Sequence, residues 1–167
     1  MNKKSNKKII TDELKSYLNV ESKPTFYDVD KNSVKNFALA VGNKNPLYFD
    51  ETFARSTVYG TIVAPYMYLR SLRPLRFDPE FPEPFSHILD AGSKFNFFFP
   101  IKIGDSISVV KKLVDIFEKD GRMGKMLFRK IEITYKNQIN QIIAKELNTI
   151  ITYGYGKKDP GLEEHSW

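Results

Sequence analysis

The spacing of apolar residues predicts helices in the first part of the chain. Residues 11–19 and 30–42 repeat apolar side chains every three or four positions, the pattern of a helix with one buried face. Thr11 or Asp12 can cap the first of these helices, and Asp30 or Asn32 the second. The most apolar helical stretch is 64–73, with a proline near its start, where a missing N–H costs nothing. The sequence therefore predicts two helices followed by a longer, more apolar one.

The pattern changes to strands after residue 86. Between residues 127 and 136 apolar and polar side chains alternate, the spacing of a strand with one buried face. Asp120-Gly121 and the segment 137–140 are turn signals that would join neighbouring strands as hairpins. The preceding residues 74–86 hold four prolines, which predicts an ordered surface loop, a candidate flap over a pocket. This order of elements predicts an α+β fold in which an antiparallel sheet packs against a helix.

The composition is typical of one folded domain. Of the 167 residues 41% are hydrophobic and 13 are Phe, enough to build a core. No run approaches the roughly 20 apolar residues of a membrane helix, so no membrane attachment is expected. The absence of cysteine excludes disulfides and fits a cytoplasmic location. We divide the chain into a flexible basic tail (1–10), a folded domain (11–156) and a flexible C-terminal tail (157–167).

The positive charge is concentrated at the N-terminus. The formal net charge is +6, and Lys3, Lys4, Lys7 and Lys8 account for four of those charges, which leaves 6 − 4 = +2 for the rest. A charge run of this kind is usually a solvated, mobile end. No basic-aromatic RNA motif accompanies it, so nucleic-acid binding is not expected. A binding or regulatory domain whose Lys-rich tail contacts nucleic acid or an acidic partner is nevertheless the alternative of a different class.

Three segments resemble the motifs of the MaoC-like dehydratases and (R)-specific enoyl-CoA hydratases. The first, GNKNPLYFD (42–50), is similar to the hydratase motif Gly-Asp-x-Asn-Pro-x-His-x-Asp of active members. The second, YGTIVAP (59–65), is similar to the approach to the central helix of that family. The third, DAGSKFNFFFP (90–100), resembles the strand that follows this helix. The resemblance covers about residues 24–155 and implies a single hotdog fold, an antiparallel sheet wrapped around a central helix.

The resemblance implies a proton-transfer site, and this chain departs from it. In active members the Asp and His of the motif act in hydration of a 2-enoyl thioester, and a backbone N–H at the helix start stabilises the thioester oxygen. Here Asn43 stands for the Asp and cannot accept a proton. Tyr48 stands for the His, and its reference pKa of about 10 makes it a poor base at neutral pH. At the helix start Pro65 has no N–H to donate. These departures are similar to the non-catalytic half, an N-terminal domain or separate subunit, that some MaoC-like hydratases carry.

The sequence thus predicts an acyl-thioester-binding component of a MaoC-like enoyl-CoA hydratase or 3-hydroxyacyl dehydratase of fatty acid metabolism. The resemblance implies an acyl-CoA or acyl-carrier thioester as ligand, with CoA present only as part of the substrate. A partner hotdog, in a homodimer or in a heterodimer with a catalytic MaoC-like subunit, would supply the missing Asp and His. The substrate-binding positions expected from the motifs are Asn43, Asn45, Tyr48, Gly60 and Ala64.

An autonomous homodimeric hydratase with a rearranged site is the alternative, with Tyr48 or Asp50 as proton donor. Asp50 is equally placed to cap the turn that follows it, which is the more ordinary role of an aspartate there. A structural role is expected for His87 and none for His165. With two distant histidines and no cysteine, no metal site is expected. Core or dimer-seam positions are expected for Tyr66, Met67 and Tyr68. Core packing of a strand is expected for the phenylalanine cluster, with a hydrophobic acyl tunnel beside it as the alternative: Phe95, Phe97, Phe98 and Phe99.

Overall fold

The computed structural model describes residues 8–73, 80–121 and 124–156. Three short α-helices lie in the first third of the chain: α1 (Asp12–Ser16), α2 (Lys31–Ala40) and α3 (Glu51–Arg55). Each begins at a side-chain cap, because the oxygen of the preceding residue accepts backbone N–H groups of the first turn. The three caps are Thr11, Asp30 and Asp50. The first two confirm the helix starts predicted from the sequence.

The predicted apolar helix is a 3-10 helix. It spans Tyr66–Leu72, is named here the central 3-10 helix, and buries Tyr68, Leu69 and Leu72. Pro65 occupies the cap position rather than the first turn, and no side chain caps this helix. A second, three-residue 3-10 helix covers Pro46–Tyr48. The expected position of the helix is therefore confirmed, but its geometry is tighter than that of an α-helix.

Five strands form one antiparallel sheet. They are β1 (Thr25–Asp28), β2 (Phe85–Phe97), β3 (Ser106–Gly121), β4 (Gly124–Lys136) and β5 (Ile142–Gly156), in the spatial order β1-β3-β4-β5-β2. The β4–β5 hairpin turns within the predicted segment 137–140. Asp120 and Gly121, predicted as a turn, are instead the last residues of β3, opposite Lys125 and Gly124, and the residues that join β3 to β4 lie outside the described residues. Strand β2 therefore ends the sheet on one side, and only β5 pairs with it among the described strands.

One face of the sheet, named here the inner face, is buried. Along β4 every second residue from Leu127 to Tyr135 is buried, as the alternation predicted. The register places these residues opposite the even-numbered residues of β5, and the central 3-10 helix belongs to the same core. Apolar residues fill most of this face, but five of its buried side chains are polar or charged: Lys111, Arg129, Glu146, Asn148 and Thr152.

The segment before β2 lies against this inner face. Residues 80–84 form neither helix nor strand, as the prolines predicted, whereas residues 74–79 of the expected flap lie outside the described residues. The Phe81 ring is buried, 4.5 Å from the guanidinium carbon of Arg129. An oxygen of Glu83 lies 2.6 Å from a guanidinium nitrogen of the same arginine. This arginine therefore ties the proline-rich segment to the sheet.

The ends of the chain are described only in part. Residues 157–167, with His165, and residues 1–7 lie outside the described residues. The backbone N–H groups of Ile9 and Ile10 donate hydrogen bonds of 2.7 and 2.8 Å to one carboxylate oxygen of Glu118 on β3. The end of the segment expected as a tail is thus bonded to the sheet. In the described part of the chain no helix has the length and apolar character to cross a bilayer.

Candidate functional site

The motif segment 42–50 is a tight loop held by its own polar side chains. It begins at Gly42, whose φ of +68° is a conformation that favours glycine and ends α2. The side-chain oxygen of Asn43 accepts a hydrogen bond from the N–H of Asn45, 3.1 Å away. The Asn45 side chain in turn accepts from the N–H of Leu47 at 3.0 Å and caps the short 3-10 helix. The two asparagines therefore shape the loop that presents Tyr48.

Three tyrosines gather at this loop. Burial raises the pKa of Tyr48, and the nearby Tyr66 and Tyr59 raise it further, while a hydrogen bond with the Asn43 side chain opposes the shift. Tyr48 is half-buried, and Tyr66 stands at the start of the central 3-10 helix. The phenol of Tyr48 therefore stays protonated at neutral pH, and it can donate or accept a hydrogen bond without changing its charge.

Tyr59 and Tyr66 are site residues that the sequence reasoning missed. Of the two positions expected for Tyr66, the core is wrong, because the side chain is exposed in the single chain, while the dimer contact stays a prediction. Its ring lies 4.8 Å from that of Phe97 on β2. The neighbouring Tyr68 is buried, as expected, and its hydroxyl lies 2.7 Å from the Ser33 hydroxyl. No local spacing marks Tyr66 as part of the site, because the chain returns to Tyr48 only after α3 and the turn that follows it.

The approach to the central 3-10 helix carries the other two predicted binding positions. Gly60 has a φ of +68°, and a side chain would be strained there, although no atom lies within 4 Å of an added Cβ. Ala64 is buried, and its N–H donates to the carbonyl of Ile101 at 2.8 Å. Pro65 follows without an N–H. Neither residue therefore offers a free donor at the position where active members of the family hold the thioester oxygen.

Exposed aromatic side chains border the site. The expectation that the phenylalanine cluster is core holds for Phe95 and Phe97, which are partly buried against the core and stack at 5.4 Å. It is wrong for Phe98 and Phe99, which are exposed because they follow the end of β2. Met67 is exposed as well. The mouth of the site is thus apolar and open.

A charged cluster lies behind the site, between the central 3-10 helix and the sheet. Fully buried Glu146 accepts hydrogen bonds from Arg70 at 2.9 Å and from Arg73 at 3.0 Å through one oxygen. The hydroxyl of Tyr135 donates to its other oxygen at 2.8 Å, and this contact and burial raise the tyrosine pKa. The cluster, named here the buried clamp, also contains Asp90, Ser93, Lys111 and Asn148.

The hydrogen bonds of the buried clamp hold the central 3-10 helix against the sheet, and no proton transfer is needed for that role. Every side-chain oxygen of Glu146 has a donor, and Arg70 also bonds Asp90 at 3.1 Å. The amide of Asn148 accepts from Arg73 and donates to Asp90. Such a satisfied network fixes the central 3-10 helix on the sheet. Burial strongly raises the pKa of Tyr135. Burial and the nearby Arg73 together lower the pKa of Lys111 to about 8, with Glu146 opposing.

The remaining candidates have structural surroundings. One carboxylate oxygen of Asp50 accepts the N–H groups of Thr52 and Phe53 at 2.8 and 3.1 Å, the capping role weighed above. His87 stacks on Tyr153 at 5.3 Å, at the edge of the sheet. Within residues 8–73, 80–121 and 124–156 no three His, Asp or Glu side chains gather as metal ligands would.

A family model for the FAS1-like dehydratase domain region matches residues 16–146, most of the chain. Among curated relatives, a UPF0336 protein of Streptomyces avermitilis is 26% identical over 54% of this chain and 63% of its own length. A probable enoyl-CoA hydratase alpha subunit of Thermomonospora curvata is 26% identical over 68% of this chain and 41% of its own length. The match therefore spans less than two thirds of either relative.

Solved structures share the fold. The MaoC-like dehydratase from Rhodospirillum rubrum superposes with a TM-score of 0.64 and 18% identity, over 81% of this chain and 92% of the other. The ChsH1-ChsH2 complex from Mycobacterium tuberculosis gives a TM-score of 0.72 at 18% identity, over 90% and 97% of the two chains. The sheet, the central helix and the matched family model agree, and the chain belongs to the FAS1-like dehydratase region family as a MaoC-like domain with the hotdog fold.

Proposed function

We propose that this protein binds an acyl thioester as one component of a MaoC-like hydratase or dehydratase, and that a partner hotdog supplies the catalytic Asp and His. The observation that carries the proposal is the pairing of Asn43 with Tyr48 at the motif, beside Tyr59 and Tyr66. The Asn43 and Tyr48 side chains are linked by a hydrogen bond, and neither provides a group that titrates near neutral pH. The loop of the motif is thus formed while the Asp and His of active members are absent from it.

Hydration of a 2-enoyl thioester adds the oxygen of water to one carbon of the double bond and a proton to the other. A base must take a proton from the water, and an acid must deliver one. Asn43 can do neither, and the raised pKa of Tyr48 keeps its phenol protonated. The arrangement therefore suits holding the ligand: phenol and amide groups can hydrogen-bond the carbonyl and amide groups of a thioester arm.

Other positions around the loop support the same binding role. Asn45 keeps the loop in shape, and the backbone conformation at Gly60 leaves the space above it open. Ala64 is small and buried at the entrance to the central 3-10 helix. The apolar mouth beside Tyr66 is suited to the acyl portion of a ligand. CoA enters this proposal only as part of that ligand.

The exposed edge of the sheet supports the proposal that a partner chain binds. Strand β2 is 13 residues long and has a described neighbour on one side only, so its other side presents backbone groups that a second chain can pair with. On this strand Ile88 and Leu89 are 61% and 51% exposed. One relative is named as an alpha subunit, and one structural neighbour is a complex of two proteins.

The test measures both steps with the full-length chain. We expect crotonyl-CoA to bind the purified chain in calorimetry without being hydrated, and hydration to begin when a hotdog protein of the same organism with an intact Asp and His motif is added. Tyr48→Phe should weaken binding about fivefold, since one hydrogen bond is lost. Tyr153→Phe, on β5 where the ring stacks on His87, is the matched control and should not.

Two outcomes would contradict the proposal. Strong hydration by the purified chain, abolished by Tyr48→Phe or Asp50→Asn, would mean an autonomous enzyme with a rearranged site. Absence of crotonyl-CoA binding, with the fold intact by circular dichroism, would remove the acyl-thioester role itself.

A further inference from the structure

One buried arginine lies outside both the candidate site and the buried clamp. Arg129 stands on the inner face of β4, and its side chain is 5% exposed. The Phe81 ring covers its guanidinium group at 4.5 Å, and the Tyr17 ring in turn contacts Phe81 at 5.4 Å. A cation that is buried in this way needs a counter-charge. Glu83 supplies it through one carboxylate oxygen, 2.6 Å from a terminal guanidinium nitrogen.

This ion pair leaves hydrogen-bonding groups unused on both side chains. The second carboxylate oxygen of Glu83 and the Nε of Arg129 are buried and have no hydrogen-bond partner among the described residues. The hydroxyl of Thr152 is in the same condition within that part of the chain. Thr152 is fully buried on β5, opposite Leu127 and diagonal to Arg129 on the inner face. Because buried polar atoms nearly always have a partner, three such atoms in one region need an explanation.

The chain around Glu83 explains why the ion pair is incomplete. Glu83 stands between Pro82 and Pro84, and a proline fixes its own backbone angle and restricts the residue before it. The carboxylate is therefore presented from a stiff segment that the buried Phe81 also holds in place. A free carboxylate has no such tether, and it can bind a guanidinium group through two parallel hydrogen bonds. The unpartnered Nε of Arg129 is one of the donors that this arrangement requires.

We propose that Arg129 and Thr152 form a binding site for a small carboxylate with an apolar body, such as a fatty acid, and that Glu83 and Phe81 occupy this site as an internal substitute. The ligand carboxylate replaces that of Glu83, bonds the guanidinium through two nitrogens and accepts the Thr152 hydroxyl. The apolar body replaces the Phe81 ring. The neighbouring side chains of the inner face are apolar: Leu127, Ile131 and Ile150.

The site is open to a ligand on the side of the acid. The Glu83 side chain is 21% exposed, whereas Arg129 and Thr152 are enclosed. A ligand therefore approaches from the surface at Glu83 and displaces residues 80–84, which belong to no helix or strand. The inference concerns a different part of the inner face from the motif loop, and it does not rest on the proposed function.

Octanoate is the probe, and octanamide, a neutral molecule of similar shape, is its control. Calorimetry on the full-length chain should show weak octanoate binding, because Glu83 competes for the guanidinium group. Glu83→Gln should bind octanoate at least about tenfold more tightly, since the buried cation then lacks a carboxylate. Neither chain should bind octanamide. Glu80→Gln makes the same change of charge at an exposed position of the same segment and should leave the octanoate affinity unchanged.

A second pair of variants decides the question if Glu83→Gln does not fold. Thr152→Val removes the hydroxyl alone and should weaken octanoate binding about threefold to tenfold, because one hydrogen bond to the ligand is lost. The melting temperature of the ligand-free variant should not fall, since the hydroxyl has no partner among the described residues. Thr149→Val, on the other face of β5, should leave the octanoate affinity unchanged. Octanoate binding no tighter than octanamide binding, an equal gain in Glu80→Gln, or no loss in Thr152→Val would overturn the inference.

Discussion

The candidate site and the buried clamp lie at opposite ends of the central 3-10 helix and treat charge in opposite ways. Around Tyr48 the side chains are neutral, half-buried or exposed, and linked by few hydrogen bonds. Around Glu146 the carboxylate is fully buried, with hydrogen bonds to both oxygens, and the side chains of Arg70 and Arg73 that bond to it are 35% and 18% exposed. Removing charges from water costs several kcal/mol for each ion, which dense bonding must offset.

This difference shows where the domain uses its ionic groups. In a hydratase site the titrating groups are expected at the motif, yet here the ionic groups position the helix instead. The buried clamp reaches Asp90 and Ser93 on β2, so it links the central 3-10 helix to the same edge strand that borders the mouth of the site. The buried clamp therefore fixes the relative position of the helix and the strand that border the site. We expect the site itself to contribute little to the free energy of unfolding.

The largest effect is expected from Glu146→Gln. This change leaves Arg70 and Arg73 without their buried counter-charge, and breaking such a pair costs about 3–5 kcal/mol. Urea unfolding followed by circular dichroism measures the loss. Glu132→Gln, on the same sheet but partly exposed and paired with Lys112, should cost less than about 1 kcal/mol. Equal losses for the two variants would remove the distinction between the regions.

The next largest effect is the pH dependence of the free energy of unfolding that arises from Lys111. Its pKa is lowered to about 8 in the folded chain, against 10.5 for the ordinary side chain. Between these values the unfolded chain binds more protons, so the free energy of unfolding rises with pH across that window. The rise is at most about 3 kcal/mol by the shift in pKa. Lys111→Met should lack it when unfolding of the two proteins is compared from pH 7 to 10.5.

The same chemical change in both regions gives the most direct comparison. Tyr135→Phe removes a buried hydrogen bond to a carboxylate and should cost about 1.5–3 kcal/mol. Tyr48→Phe removes a hydroxyl from a half-buried position and should cost less than about 1 kcal/mol. Thermal unfolding of the two variants decides the order. A larger loss for Tyr48→Phe would mean that the site, too, holds the fold together.

The smallest effect concerns Asp50. Asp50→Ala removes the cap of α3 and should cost about 1 kcal/mol, whereas Asp50→Asn keeps an acceptor at the same place and should be nearly neutral. The pair is measured by urea unfolding. A loss of stability in Asp50→Asn as large as in Asp50→Ala would show that the charge, and not the capping oxygen, matters there.

Local chemistry made much of the fold predictable. Capping residues and turns act within a few positions of themselves. Thr11 and Asp30 are among the caps that the pattern offered, and the turn between β4 and β5 lies where the pattern placed it. The alternation along β4 identified its buried face because a strand exposes alternate residues to opposite sides. The loop shape set by Asn45 also follows from local hydrogen bonding.

The remaining features depend on distant contacts. Glu146 lies 76 and 73 positions from Arg70 and Arg73, and no local spacing links them. The only signal in the sequence was that a glutamate stands at a position of β5 that points to the buried face. An analysis of apolar spacing alone does not consider such a residue. The 3-10 geometry of 66–72 has a similar origin, because contacts with the sheet override the helical preference of its residues. Tyr66 likewise lies at the site because the fold brings it close to Tyr48, a residue distant in the sequence.

The buried clamp also constrains how related sequences can change. Loss of Glu146 leaves Arg73 with Asp90, 3.9 Å away, as its counter-charge, and loss of one arginine leaves the fully buried Glu146 with one guanidinium group instead of two. Replacement of all three by apolar residues of similar volume is often tolerated. Relatives of this protein should therefore keep the trio or lack it as a whole, and sequences with two of the three should be rare. The three residues should therefore change together in evolution, although almost half the chain separates the arginines from the glutamate.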